Sequence, residues 1–326
     1  MAEERAITKR AKTKRHYQLL SCDLFRDMAS KIQASDPERF TYHESKWEKF
    51  NDGTDKIELG GFRPTNEIRG EHILFLASFH NNDATLSQFH ALIVLLESFI
   101  ESLTVVLPFY PTATMERVAQ EGTIATASTL ARLFNSLPSC GRPTCLVVYD
   151  IHTLQNRFYL SGNCLPQLET TIPLLKLAMT KCEVPVDAVA FPDEGAAKRF
   201  GGMFNHLSVV ICGKVRDGDR RIVTVQDGDP SKAQHIVIVD DLVQSGGTLY
   251  EAAKGLVSGG AKKVSAFCAH AVFPQDSWKR FLRGGDRDLL DTFWVSNSIP
   301  STVSKLPQDD VFQVLDIMPK LIEDLQ

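Results

Sequence analysis

Seven short runs of the chain are almost wholly apolar: "HILFLAS" from His72, "SLTVVLPF" from Ser102, "TCLVVYDIH" from Thr144, "VDAVAFPD" from Val186, "HLSVVICG" from His206, "HIVIVDD" from His235 and "KVSAFCAHAVF" from Lys263. Between them lie longer segments of helical periodicity. Aliphatic runs without polar alternation are strands covered on both faces, and strands that alternate with helices build parallel sheets. The predicted class is therefore α/β. One local exception is "VVICGKVRDGDRRIVTV" from Val209, which reads as two strands folded around Asp217-Gly218, a hairpin from which Lys214 and Arg216 project together.

The same pattern occurs twice. Placing His72 on His235, an offset of 163 residues, superimposes strand, turn, helix and strand without a gap and matches Ile73 with Ile236, Thr85 with Thr248, Leu86 with Leu249 and Pro111 with Pro274. Two copies of one α/β domain are expected, over residues 17–162 and 163–326, behind an amino-terminal arm of residues 1–16. The copies differ at their turns. Where the second has Asp240, Asp241, Gly246 and Gly247, the first has Ala77, Ser78, Asp83 and Ala84.

With 43% hydrophobic and 23% charged residues and a formal charge of −4, the chain has neither the composition of a disordered protein nor the basic field that gathers nucleic acid or anionic membrane. The most apolar stretch, "ALIVLLESFIESLTVVLP" from Ala91, is broken by Glu97 and Glu101 one helical turn apart and suits an amphipathic helix rather than a membrane span. Seven cysteines without a Cys-x-x-Cys pair argue for reduced thiols in the cytoplasm and against zinc. The basic arm "MAEERAITKRAKTKRH" has no apolar core of a secretory signal, and Glu3 and Glu4 do not fit a transit peptide, so a solvated disordered arm is expected.

The chemistry concentrates in "IVIVDDLVQSGGTLYEAA" from Ile236. Ligands of parallel sheets sit beyond the carboxyl ends of the strands. Ser245, Gly246 and Gly247 let successive N–H groups turn into one concavity, Thr248 opens a helix, and the helix dipole favours an anion. Two carboxylates, Asp240 and Asp241, would repel a bare polyphosphate but accept hydrogen bonds from vicinal hydroxyls. A pentose phosphate satisfies both halves.

This segment resembles the loop that binds phosphoribosyl pyrophosphate in type I phosphoribosyltransferases and in phosphoribosyl pyrophosphate synthetases, the ribose-phosphate pyrophosphokinases. Duplication, with one copy lacking the loop, resembles the synthetases. So do "FNDGTDKIE" from Phe50, "VVLPFYPTATMER" up to Arg117, "VVYDIH" up to His152, "FPDEGAAKR" from Phe191, "GKVRDGD" from Gly213 and "VSNSIP" from Val295, which fall in that family's order. The resemblance implies two tandem type I phosphoribosyltransferase-like domains and transfer of the β,γ-diphosphoryl group of ATP to ribose 5-phosphate. It also implies Mg²⁺ held by His152 and Asp193 and catalytic cations at Lys214 and Arg216. The sugar phosphate would be bound by Asp240, Asp241, Gln244, Ser245, Gly246, Gly247 and Thr248. ATP would be met by Phe50, Asp52, Arg117 and His152, with Phe50 reaching a site near a subunit interface of a homo-oligomer, a trimer or hexamer. On the strand pattern alone, Asp150 and His152 stand at i and i+2 and would leave one face together.

Thr114 and Met115 replace an Arg-Gln pair of the commoner members, Gln244 replaces a third aspartate and Thr54 a glutamate. These departures resemble the family's class II branch, which is described as independent of activating phosphate and broader in its diphosphoryl donor. The alternatives are a non-catalytic relative that regulates a true synthetase and a nucleobase phosphoribosyltransferase. Retention of Lys214, Arg216, His152, Asp193 and the whole loop speaks against the first, and the duplicated first half against the second.

Overall fold

The computed structural model describes residues 15–116, 118–217 and 220–325, with backbone alone at 214–217 and 220–222. Nearly all of the expected arm, and Arg117, lie outside the described residues.

Among the described residues there are two large sheets, each built around one copy of the repeat, and a two-stranded hairpin, Lys46–Lys49 with Asp55–Glu58. The first has the strand order Phe40–Tyr42, Tyr17–Ser21, His72–Leu76, Ser102–Val106, Thr144–Tyr149 and Cys164–Glu169, all parallel. The second runs Arg220–Asp227, Ser208–Asp217, Ala188–Phe191, Ile236–Val243, Val264–Ala271, Phe293–Ser296 and Phe312–Leu315, and only its first pair is antiparallel. His72–Leu76 and Ile236–Val243 occupy equivalent places, each followed by a helix, Asn82–Leu96 or Gly247–Ser258, and then by the neighbouring strand. The duplication seen in the residue pattern is thus a duplication of topology.

Both faces of each sheet are covered, as uninterrupted apolar strands require. Helices Asn82–Leu96 and Thr126–Asn135 pack on one face of the first sheet, and Arg26–Ser35 with Met318–Asp324 on the other. Gly247–Ser258 covers one face of the second, and Ile172–Met179 and Glu194–Phe200 the opposite one.

Two expectations change here. The boundary at 162/163 falls ahead of Cys164–Glu169, which pairs with Thr144–Tyr149 and so belongs to the first sheet, and the chain changes sheets only after Glu169. The last helix also returns to the first unit: Ile317, Leu321 and Leu325 are buried among Tyr17, Leu19, Leu74 and Tyr149, Arg39 donates to the Ile322 carbonyl at 3.0 Å, and the Tyr149 hydroxyl meets Asp324 at 2.9 Å. In the apolar stretch from Ala91, the helix ends at Leu96 with Glu97 as its cap, and Glu101 stands outside it beside the next strand. Among the described residues no helix is long and apolar enough to cross a membrane.

Candidate active site

The strand Ile236–Val243 carries Asp240 and Asp241 near its carboxyl end, where the sheet opens into a cleft of about 940 Å³. Asp193, His152, Arg199, the two aspartates and the turn Gln244–Thr248 all line it. Of the residues singled out in the sequence, the structure brings together His152, Asp193, Asp240, Asp241, Gln244, Ser245, Gly246, Gly247 and Thr248.

The turn has the geometry of an anion cradle. Gly246 takes φ +73°, and a Cβ there would stand 2.4 Å from the Phe281 ring, so backbone and packing both demand glycine. The first helical hydrogen bond after the turn runs from Tyr250 N–H to the Gly246 carbonyl at 3.0 Å, which leaves the N–H groups of the first turn for another partner. At the equivalent place in the first copy, Asn81 caps an ordinary helix by accepting from Ala84 N–H at 2.7 Å, and Asp83 pairs with Lys49 at 2.7 Å. The first loop has become a mount for the neighbouring hairpin. Asp55 of that hairpin meets Lys49 at 2.6 Å and accepts from the Ser87 hydroxyl at 2.8 Å.

The two aspartates stand in opposing environments. His152 Nδ1 lies 2.7 Å from Asp241 Oδ2, and Arg199 reaches the same oxygen at 3.4 Å while donating to the His152 carbonyl at 3.0 Å. Burial pushes the Asp241 carboxyl up, but the hydrogen bond and charge of His152, with Arg199, hold it below its ordinary value. The hydrogen bond to Asp241 raises the His152 imidazole against the opposing effect of burial. Asp240 goes the other way: burial, then the charge of Asp241, pushes its carboxyl well up.

Asp193 caps the helix Glu194–Phe200 by accepting from Ala196 N–H at 3.0 Å through Oδ1, so Oδ2 is left over. His152 likewise keeps Nε2, because its other nitrogen is bound to a carboxylate, an arrangement that fixes the ring for metal ligation. Among the described residues no three His, Cys, Asp or Glu gather closely enough to hold a metal by themselves. That donor set fits a hard cation that completes its shell with water and phosphate oxygens, as Mg²⁺ does, rather than a caged one.

Asp150 and His152 do not leave one face. The strand stops at Tyr149, Asp150 takes φ +38°, and its buried carboxylate accepts from the Thr171 N–H at 2.8 Å and the Thr170 hydroxyl at 2.6 Å. Asp150 thus ties the end of the first sheet to the segment that enters the second unit, while His152 faces the cleft. Residues 214 and 216 are placed by backbone only: Lys214 pairs with Val223 and Arg216 with Arg221 in a ladder that runs past Ile211, the partner of Phe191. The hairpin therefore extends beyond the carboxyl end of the strand that leads to Asp193, on the cleft side of the sheet. The side chains of both expected cations lie outside the described residues.

Phe50 and Asp52 are not in the cleft. Phe50, 54% exposed, stands at the tip of the hairpin Lys46–Glu58, and Asp52 Oδ1 accepts from Thr54 N–H at 3.0 Å and from its hydroxyl at 2.6 Å. Arg199 is the cleft residue that sequence reasoning missed. Its signal was the Lys198-Arg199 pair in the last turn of the helix that Asp193 opens.

No family model matches the chain. Among curated proteins it is similar to ribose-phosphate pyrophosphokinase 4 of Oryza sativa subsp. japonica, 41% identical over 328 residues and 99% of both chains. It is equally similar to ribose-phosphate pyrophosphokinase 4 of Arabidopsis thaliana, at 41% over 96% of this chain and 93% of the relative. A relative named ribose-phosphate pyrophosphokinase 3, chloroplastic, from Arabidopsis thaliana is 41% identical over 97% of this chain and 77% of its own length. Among solved structures, a phosphoribosylpyrophosphate synthetase from Mycobacterium smegmatis shares the fold with a TM-score of 0.76 at 21% identity, over 95% of this chain and 97% of that one.

Proposed function

The chain belongs to the ribose-phosphate pyrophosphokinase family, and from that premise we propose that it moves the β,γ-diphosphoryl group of ATP to the 1-hydroxyl of ribose 5-phosphate. The hydroxyl oxygen attacks the β-phosphorus and gives its proton to water, the bond between that phosphorus and the α-phosphate bridging oxygen breaks, and AMP leaves beside 5-phosphoribosyl 1-pyrophosphate. One observation carries the reading: adjacent aspartates, a left-handed glycine and an open helix N-terminus converge in one cleft.

In this reading the 5-phosphate sits in the Ser245–Thr248 cradle and the ribose diol donates to Asp240 and Asp241. Arg199 and His152 hold Asp241 as an ionised acceptor. Asp193 and His152 would hold Mg²⁺, which supplies countercharge to the phosphates when bound. Catalysis here is positioning and electrostatic stabilisation, and Lys214 and Arg216 stand on a hairpin that reaches the cleft side of the sheet. Phe50 and Asp52, which are not among the residues that line the cleft, would serve a neighbouring copy's nucleotide, which makes a homo-oligomer part of the proposal; Arg117 would complete the ATP contacts. Seven free cysteines support a cytoplasmic placement. Gln244, in the cradle where the commoner members have an aspartate, supports the class II assignment and with it activity without added phosphate.

The test is one incubation with ribose 5-phosphate, ATP and Mg²⁺. AMP and 5-phosphoribosyl 1-pyrophosphate are expected in equal amounts, and Lys214→Ala should lower turnover by roughly a hundredfold or more while sparing sugar binding. Failure to form AMP in the unaltered protein would overturn the reading.

A further inference from the structure

Behind the cradle, on the side away from the cleft, lies an arginine that neither motif nor resemblance assigns. Arg287 is 8% exposed, and its guanidinium rests between two rings, 5.6 Å from the Tyr250 centroid and 5.5 Å from that of Phe281. A terminal nitrogen donates to the Ser245 carbonyl. The same nitrogen would stand 3.4 Å from a Cβ at Gly246.

Among the described residues Arg287 forms no ion pair: Asp286, which pairs with Arg280, and Glu251 act on its charge only from beyond pairing distance, and Asp288 pairs with Arg283. Its Nε is buried without a hydrogen-bond partner. A buried cation whose partner is missing is costly unless an anion arrives to compensate it. The anion expected within reach is the one the cradle takes.

A second consequence follows from peptide planarity. In a trans peptide the carbonyl and the following N–H point in opposite directions. Arg287 draws the Ser245 carbonyl backwards and so turns the Gly246 N–H forwards, and that N–H donates to no backbone acceptor among the described residues. We propose that Arg287 is a positioning residue for the sugar phosphate, which holds the Ser245–Gly246 peptide with its N–H aimed at the bound anion and supplies the buried countercharge behind it. This rests on the cradle being the ribose 5-phosphate site.

The experiment is steady-state kinetics on the full-length protein with each substrate varied in turn, for Arg287→Gln and Arg287→Lys, with melting temperatures alongside and calorimetric binding of ribose 5-phosphate alone. Arg287→Gln should raise KM for ribose 5-phosphate about tenfold or more, the loss of one charge-assisted contact, while KM for ATP moves less than twofold. Arg287→Lys, which keeps the charge but not the planar fork, should fall between. If both KM values rise together with a lowered melting temperature, the role is merely structural and the proposal fails. Should Arg287→Gln not fold, the same split in Arg287→Lys decides. Unaltered protein that binds ribose 5-phosphate as tightly as folded Arg287→Gln overturns the role of Arg287 alone; unaltered protein that binds none overturns the site itself.

Discussion

Asp240 and Asp241 are neighbours in sequence and opposites in environment. Asp241 has His152 and Arg199 beside it, whereas Asp240 has burial and the charge of Asp241. For Asp240 the folded carboxyl lies above its unfolded value. Its protonated form is therefore favoured in the fold, and the molecule loses stability as pH rises from the ordinary carboxylate range, near 3.9, through the raised value. For His152 the value is also raised, so its contribution is full below about 6.5 and fades as pH rises through the folded value; that of Asp241, with a lowered value, is lost as pH falls through it. Asp240→Asn should consequently raise the melting temperature of the ligand-free protein at pH 7 by a few degrees, a gain that shrinks toward pH 4. The same change should weaken ribose 5-phosphate by about tenfold or more, because the bound diol favours an ionised acceptor and the amide cannot ionise. Melting curves at several pH values and calorimetry would check both; a lowered melting temperature at neutral pH would contradict the assignment. Of this chemistry, the acids and the turn were legible because a strand end and a helix start lie within nine residues. Arg199 offered only the basic pair at a helix end and Arg287 no local signal, since what each touches, Asp241 and the Ser245 carbonyl, is set by the fold.

Elements that keep their shape across the two copies have exchanged their tasks. Strand, turn and helix recur, but the first turn spends Asp83 and Ser87 on the hairpin Lys46–Glu58 instead of on an anion. If that hairpin presents Phe50 to nucleotide, loosening its mount should act on ATP alone. Asp55→Ala removes the acceptor shared by Lys49 and Ser87 and should cost about 1 kcal/mol of stability. It should raise KM for ATP several-fold with that for ribose 5-phosphate unchanged. Hydrogen exchange at residues 50–55 reports whether the mount has loosened; faster exchange with unaltered KM for ATP would remove Phe50 from the nucleotide site. The aliphatic strands were readable from their runs, as was the hairpin at 208–227. Tyr17–Ser21 was missed because five residues with Gln18 and Ser21 among them give no period, although all five are buried. The departure at Asp150 was hidden for another reason: a left-handed residue after Tyr149 is imposed by the Thr170 and Thr171 contacts and has no signature of its own.

At the scale of the whole molecule the repeat suggests two independent halves, and the core contradicts that independence. Ile317, Leu321 and Leu325 are all buried against the first sheet. At about 1.5–3 kcal/mol for each buried side chain, the helix contributes roughly 5 kcal/mol or more, comparable with the whole stability of a typical domain. A fragment of residues 15–170 should therefore fail to melt cooperatively by calorimetry or circular dichroism, and a peptide of residues 316–325 added in trans should restore a transition. A cooperative transition in the fragment alone would show that the helix is dispensable. No periodicity announced this return, because the helix Met318–Asp324 is seven residues long and its partners are some 150 to 300 positions away. The order of synthesis gives the return a further meaning. The half that leaves the ribosome first keeps an apolar groove open until Met318–Asp324 has followed it out, and any chain broken off in between displays that groove permanently. A chain cut short ahead of that helix therefore bares apolar side chains that the full fold hides, Tyr17, Leu19, Leu74 and Tyr149 among them.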